Sequence, residues 1–170
     1  MTTVKPEIAK ADALTRFTDP GPDRVNCAQA VLRFALLVTG LDPDLFVAAR
    51  YFGGGMVGIG EACGAVTGAA LALGLRDCRL PEQVTHQPPL TSDRLQDLLR
   101  DFSAEFDSRR CIELTGHDLS TPEGHKMFRK SDAHERCAVY VAWVCDRLTP
   151  LLTETVTPDP TAARARGDAS

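Results

Sequence analysis

Residues 26–40 read NCAQAVLRFALLVTG. The apolar positions Cys27, Ala30, Val31, Phe34, Leu37 and Val38 recur at i, i+3, i+4 and i+7, which is the signature of a helix with one buried face. Asp23 or Asn26 can cap its start, and Gly40 stops it after Thr39. A strand would need period-two alternation, and none is present. The reading makes this segment helical and sets Cys27 on the inward face, close to the helix N-terminus.

The same period recurs along the chain. A short helix is expected over 5–17, with Pro6 near its start and DPGP (19–22) breaking it. Another starts at 42–52 behind Asp42, and a further one spans 62–73, closed by Gly74. Residues 81–90 form a linker. Ser92 or Asp93 opens a helix carrying Leu95, Leu98, Leu99, Phe102 and Phe106. A short helix or turn holds 108–116, and a Thr-Pro-Glu opener begins 121–132. The last long helix covers 132–148, with Cys137, Val141, Val144, Cys145 and Leu148 inside. Aromatic residues are only 6% of the chain, which adds to the case against strands. The expected fold is all-α: a compact helical bundle with a Gly-rich loop before a central helix. Residues 1–18 read as an N-terminal helical extension, 19–150 as the main domain, and 151–170, polar and with two prolines, as a disordered tail.

The chain has 170 residues, 44% apolar and 25% charged, enough to bury one core. A net charge of −4 and a pI near 5.5 argue against nucleic acid as a main partner. The N-terminus has no apolar core of a secretory leader, and the apolar stretches 30–41 and 64–75 are too short to span a bilayer. A cytoplasmic protein with no membrane span is expected. Six cysteines in a reducing compartment point to metal binding, redox chemistry or plain packing rather than structural disulfides. None forms a CxxC, so any site must be assembled from distant segments.

Residues 53–68, GGGMVGIGEACGAVTG, hold seven glycines around one thiol, Cys63. The expected helix start at 62 places Cys63 in a first turn, where free N–H groups favour a thiolate. Glycines let N–H groups approach a sulfur, a cluster or an anion, which makes Gly60 and Gly64 candidate cofactor contacts. Gly64 and Gly68 share a face and allow a second helix to come close. A tight loop with a passive cysteine explains the same residues equally well. The stretch Gly58 to Gly64 misses the dinucleotide fingerprint by one residue and follows a helix rather than a strand.

Other candidates have plainer readings. His134 precedes Cys137 by one helical turn and can set an imidazole beside the thiol, or simply cap the helix. Arg109 and Arg110 flank Cys111 and can lower its pKa, or be solvated charges. His117, His125 and Glu61 read as surface residues, His86 has no evident role, Cys145 packs in the core and Cys78 is a bystander.

Taken in order, Cys27 in NCAQAVL, the CGAVTG stretch (63–68), Cys111 in CIELTGHDL and Cys137 in HERC resemble the C-GCAxxG-C-C family, whose members are described as redox-active proteins. The likeness spans roughly 23–148. The family has Gly-Cys at the second site, whereas Ala62 precedes Cys63 here. The resemblance implies that Cys27, Cys63, Cys111 and Cys137 are the functional set, with Cys78 and Cys145 outside it.

Three functions fit four such thiols. They can converge on an iron–sulfur cluster or zinc, for which four cysteines are the right number. They can act as a thiol–disulfide oxidoreductase, with Cys63 attacking and Cys27 resolving, and Cys111 paired with Cys137. Or the chain can be a non-catalytic helical binding module. Ligand count and the glycine loop favour the metal or iron–sulfur centre for electron transfer. The partner is then a redox protein or a small-molecule substrate, and a homodimer is compatible with the sequence. Enzyme and electron carrier are left open.

Overall fold

In the computed structural model, which describes residues 2–78 and 90–154, the chain folds into α1 (Pro6–Thr18), α2 (Cys27–Thr39), a 3-10 helix (Pro43–Phe52), α3 (Gly64–Asp77), α4 (Leu90–Phe106), α5 (Cys111–Thr115), α6 (Pro122–Lys130) and α7 (Ala133–Thr153). No strand occurs among the described residues, so the all-α expectation holds. Residues 79–89, which hold His86 and most of the expected 81–90 linker, and residues 155–170 of the expected tail lie outside the described residues.

Helix α2 is the hub. It is apolar on nearly every face, as suits a helix surrounded by others, and Val31, Leu32, Phe34 and Leu36 are fully buried. Its start is fixed by a reciprocal cap: Gln29 N–H donates to Asn26 Oδ1 (3.0 Å) and Asn26 N–H donates to Gln29 Oε1 (3.1 Å). The Asn26 amide also donates to the Arg50 carbonyl (2.9 Å), so the cap that positions Cys27 also holds the 3-10 helix. Helix α3 crosses α2 closely, as its small residues led us to expect. A Cβ on Gly68 would lie 2.8 Å from the Ala28 carbonyl oxygen.

Helices α1 and α7 close two further sides. Helix α1 buries Ala9, Ala13 and Phe17 and is tied by Arg33–Asp12 (2.5 Å) and Lys10–Asp146 (2.6 Å). Helix α7 buries Val141, Val144, Cys145 and Leu148, and α4 adds Leu98 and Phe102. Phe102, Phe106, Tyr140 and Trp143 meet edge to face at 4.8–5.8 Å.

Several expected boundaries shift. The 43–52 segment is a tighter 3-10 turn rather than an α-helix, because its late carbonyls serve the Asn26 amide and the Val57 N–H instead of continuing an α ladder. Helix α3 begins at Gly64, not at 62, and Cys63 is its cap: the Cys63 N–H is drawn away to the Arg109 carbonyl (2.8 Å). It also runs past Gly74 to Asp77, since nothing crowds Gly74 and no left-handed turn forms there. Helix α4 starts at Leu90, two residues before Ser92. Helix α7 continues through Pro150 to Thr153, where Leu152 is buried, so 151–153 are not part of a loose tail.

The loop after the 3-10 helix has left-handed backbone at every position from Gly54 to Gly58, including Met56 (φ 63°) and Val57 (φ 47°). A β-branched side chain there is strained by roughly 1–2 kcal/mol, more than the ~0.5–1 kcal/mol entropy cost of a glycine. Val57 is 66% exposed, so little burial would be lost. Val57→Gly is therefore expected to raise the melting temperature by about 2 °C. A lower melting temperature in a thermal scan would show that Val57 is held by contacts that outweigh its backbone.

Candidate redox site

The four cysteines expected to act together do gather. Cys27 opens α2, Cys63 caps α3, Cys111 opens α5 and Cys137 lies one turn into α7. Two backbone ties bring the middle pair in. Residues Ala62 and Arg110 form an antiparallel bridge, and Cys111 N–H donates to the Glu61 carbonyl at 2.7 Å. Gly55 makes this approach feasible, since a Cβ there would sit 2.7 Å from Cys111 Cβ and 2.6 Å from the Glu61 nitrogen.

The thiols are not equivalent. Cys27 is half-buried, while Cys63, Cys111 and Cys137 are buried. The Cys27 pKa is lowered from its ordinary value, first by a hydrogen bond from the Cys137 thiol and against the opposing effect of burial. Its own N–H, the charge of Arg24 and the Gly54 N–H add to the lowering. Burial pushes Cys63 up, and the nearby Cys27 charge adds to it. The same two causes push Cys111 up to about 12. Cys137 is raised because its proton is held in the bond to Cys27, and burial reinforces this. Of the four thiols, Cys27 alone is shifted toward the thiolate, while Cys137 is shifted toward the protonated form.

This differs from expectation in two ways. Cys63 was the expected attacking thiol, but it lies too deep to favour charge. The expected pairs were Cys27 with Cys63 and Cys111 with Cys137, whereas the strongest mutual influence on proton affinity is between Cys27 and Cys137. Nor do the arginines beside Cys111 lower it: both are exposed, and Arg110 pairs with Glu113 at 2.9 Å. Gly60 donates to the Gly54 carbonyl (3.1 Å) and accepts from the Ile112 N–H (3.1 Å), so its peptide groups brace the loop. Gly64 lies against Cys27, 3.1 Å from its Cβ when given a Cβ of its own. The glycine amide that lowers the Cys27 pKa is that of Gly54, the smallest of its lowering influences. Cys145 is fully buried in the core and Cys78 is exposed at the end of α3.

A cavity of about 350 Å³ opens beside the pair. Cys27, Cys111 and Cys137 line it, with Phe17, Leu119 and Phe128 as apolar wall. His134 lines it too, stacked on Phe17 with ring centroids 4.5 Å apart. Burial, then the Arg24 charge, lowers the His134 pKa, so the ring is neutral at neutral pH. Its Nε2 is buried without a hydrogen-bond partner among the described residues. Phe17, Arg24 and Gly54 were not foreseen. Only Arg24, a cation three residues before a helix-opening thiol, carried a local signal.

No three His, Cys, Asp or Glu side chains among the described residues are placed to hold a metal ion together. The thiols cluster, but not as a ligand shell.

The sequence model described as "Putative redox-active protein (C_GCAxxG_C_C)" matches residues 25–151, most of the chain. The chain belongs to the C-GCAxxG-C-C family. All four cysteines of the C-GCAxxG-C-C set fall within the match, and so does His134. Neither a curated protein nor a solved structure matches the chain. No helix among the described residues is long and apolar enough to cross a membrane.

Proposed function

We propose that this C-GCAxxG-C-C protein is a dithiol redox protein in which Cys27 attacks and Cys137 resolves. What supports the reading is that Cys27 and Cys137 line one cavity and shift each other in opposite directions, Cys27 toward the thiolate and Cys137 toward the protonated thiol. A helix N-terminus favours the attacking thiolate, which fits Cys27 at the start of α2. The Cys27 thiolate attacks one sulfur of an external disulfide, forming a mixed disulfide and releasing the other half as a thiolate that takes up a proton. Cys137 then loses its proton and attacks the Cys27 sulfur. A Cys27–Cys137 disulfide forms, the second half leaves as a thiol, and two electrons have passed from the protein to the external disulfide. Cys63 and Cys111, held neutral beside the pair, keep the surroundings free of competing charge.

Mild oxidation of the reduced protein with diamide, followed by digestion and mass spectrometry, is expected to yield the Cys27–Cys137 cross-link. In Cys137→Ser, Cys27 is expected to stop at a mixed disulfide when oxidised glutathione is added, one glutathione leaving as thiol. Cross-links of Cys27 to Cys63 and of Cys111 to Cys137 instead would replace this pairing with the sequence-derived one. The iron–sulfur reading is supported by the gathering of four thiols alone, and an anaerobic absorption spectrum decides it. A colourless sample is expected. Visible bands bleached by a reductant would make the cysteines cluster ligands and overturn the dithiol reading.

A further inference from the structure

We propose that the cavity beside Cys27 admits a low-molecular-weight disulfide bearing carboxylates, which Arg24 and Arg50 hold while Cys27 attacks its sulfur. The inference rests on the dithiol reading above and adds the substrate class.

Size and depth favour a small molecule. About 350 Å³ is the lower end of the range for small-ligand sites. Cys111 and Cys137 are buried at the cavity lining, where a disulfide fixed in another folded protein cannot reach.

Charge selects the ligand. Arg24 and Arg50 both line the cavity and are exposed, and neither has an acidic partner among the described residues. Most arginines elsewhere are paired, as Arg33 is with Asp12, Arg110 with Glu113 and Arg136 with Asp132, and of the four without an acidic partner among the described residues two, Arg24 and Arg50, share this cavity. No Asp or Glu lines the cavity, although the chain as a whole carries a net charge of −4. Unpaired guanidinium groups around a recessed pocket suit carboxylates, which they can grip with two parallel hydrogen bonds.

The remaining lining suits the rest of such a molecule. Phe17, Leu119 and Phe128 offer apolar surface to methylene and sulfur groups. The unpartnered Nε2 of His134 is a buried polar atom that a ligand oxygen or amine would satisfy.

The test is a single-turnover oxidation of the reduced protein by three disulfides of different charge. Dithiodipropionate carries two carboxylates, hydroxyethyl disulfide is neutral, and cystamine carries two ammonium groups. Each rate of Cys27–Cys137 bond formation, followed by mass spectrometry, is divided by the rate of the same disulfide with free mercaptoethanol in the same buffer. Dithiodipropionate is expected to exceed hydroxyethyl disulfide by about tenfold, with cystamine slowest, and added salt should narrow the spread. Arg50→Gln should lower the anionic-to-neutral ratio several-fold. Using a ratio cancels any change in the thiolate itself. Equal normalised rates with the cross-link still forming would overturn the substrate class and leave the dithiol reading standing. Failure of diamide and of every disulfide to form the cross-link would overturn both.

Discussion

Replacing Cys137 with alanine is expected to slow alkylation of Cys27 at neutral pH by about 10–100-fold, the worth of one hydrogen bond to a charged group. That bond is the largest influence holding the Cys27 pKa down. Once it is gone, burial becomes the largest influence left, and burial favours the neutral thiol. The direction with pH follows. In the native protein Cys27 ionises on the acid side of an ordinary thiol, near ~8.5, so its alkylation rate levels off early as pH rises. In the variant the curve moves to higher pH. The deficit is therefore greatest at low pH and closes as pH rises through the variant's own pKa. Iodoacetamide rates at Cys27 from about pH 5 to about pH 9 would trace both curves. Cys137→Ser keeps a donor and should recover part of the loss. Superimposable curves for the native protein and the alanine variant would mean that Cys137 does not stabilise the thiolate.

Gly55→Ala is expected to lower stability by about 3 kcal/mol or more. Two costs combine. The backbone at Gly55 is left-handed, φ +65°, which an L side chain resists. The new Cβ would also stand 2.6–2.7 Å from Glu61 backbone atoms and from Cys111 Cβ. Backbone pinned by the Ala62–Arg110 bridge cannot move aside as a flexible side chain would. For a domain of this size the melting temperature should fall by about 10 °C. Gly74→Ala is the control, since a Cβ there meets nothing within 4 Å, and it should be neutral or stabilising. Similar melting temperatures for native and Gly55→Ala protein would show that the loop can be displaced from Cys111 at little cost.

The long helices were legible in the sequence because apolar residues recur in them at a helical period, as in Val31, Phe34 and Val38 of α2. Gly64 and Gly68 announced the close crossing of α2 and α3 for the same reason: a missing Cβ on one face has few other uses. Ends were harder. Pro150 and Gly74 look like stops, yet packing of Leu152 and the absence of any clash at Gly74 carry both helices onward. Which four thiols belong to the family motif was legible from the resemblance, through the residues around each. Their division of labour was not. Cys27 and Cys63 both lie at helix starts, and what separates them is a neighbour from the other end of the chain, Cys137, together with the Gly54 amide from a loop. Local pattern carries no information about either contact.

Cys27 and Cys137 are also far apart along the chain, one opening α2 and the other in the first turns of α7. A bond between them would close a ring of about 110 residues, and a tie of that span removes some 4–5 kcal/mol of disorder from the unfolded chain. Nearly the whole folded body would then lie inside one covalent circle. The relation runs both ways: whatever the bond contributes against unfolding, the fold contributes against opening the bond. Oxidised and reduced forms of one protein would thus differ in endurance as well as in electrons, with the oxidised form the harder to melt.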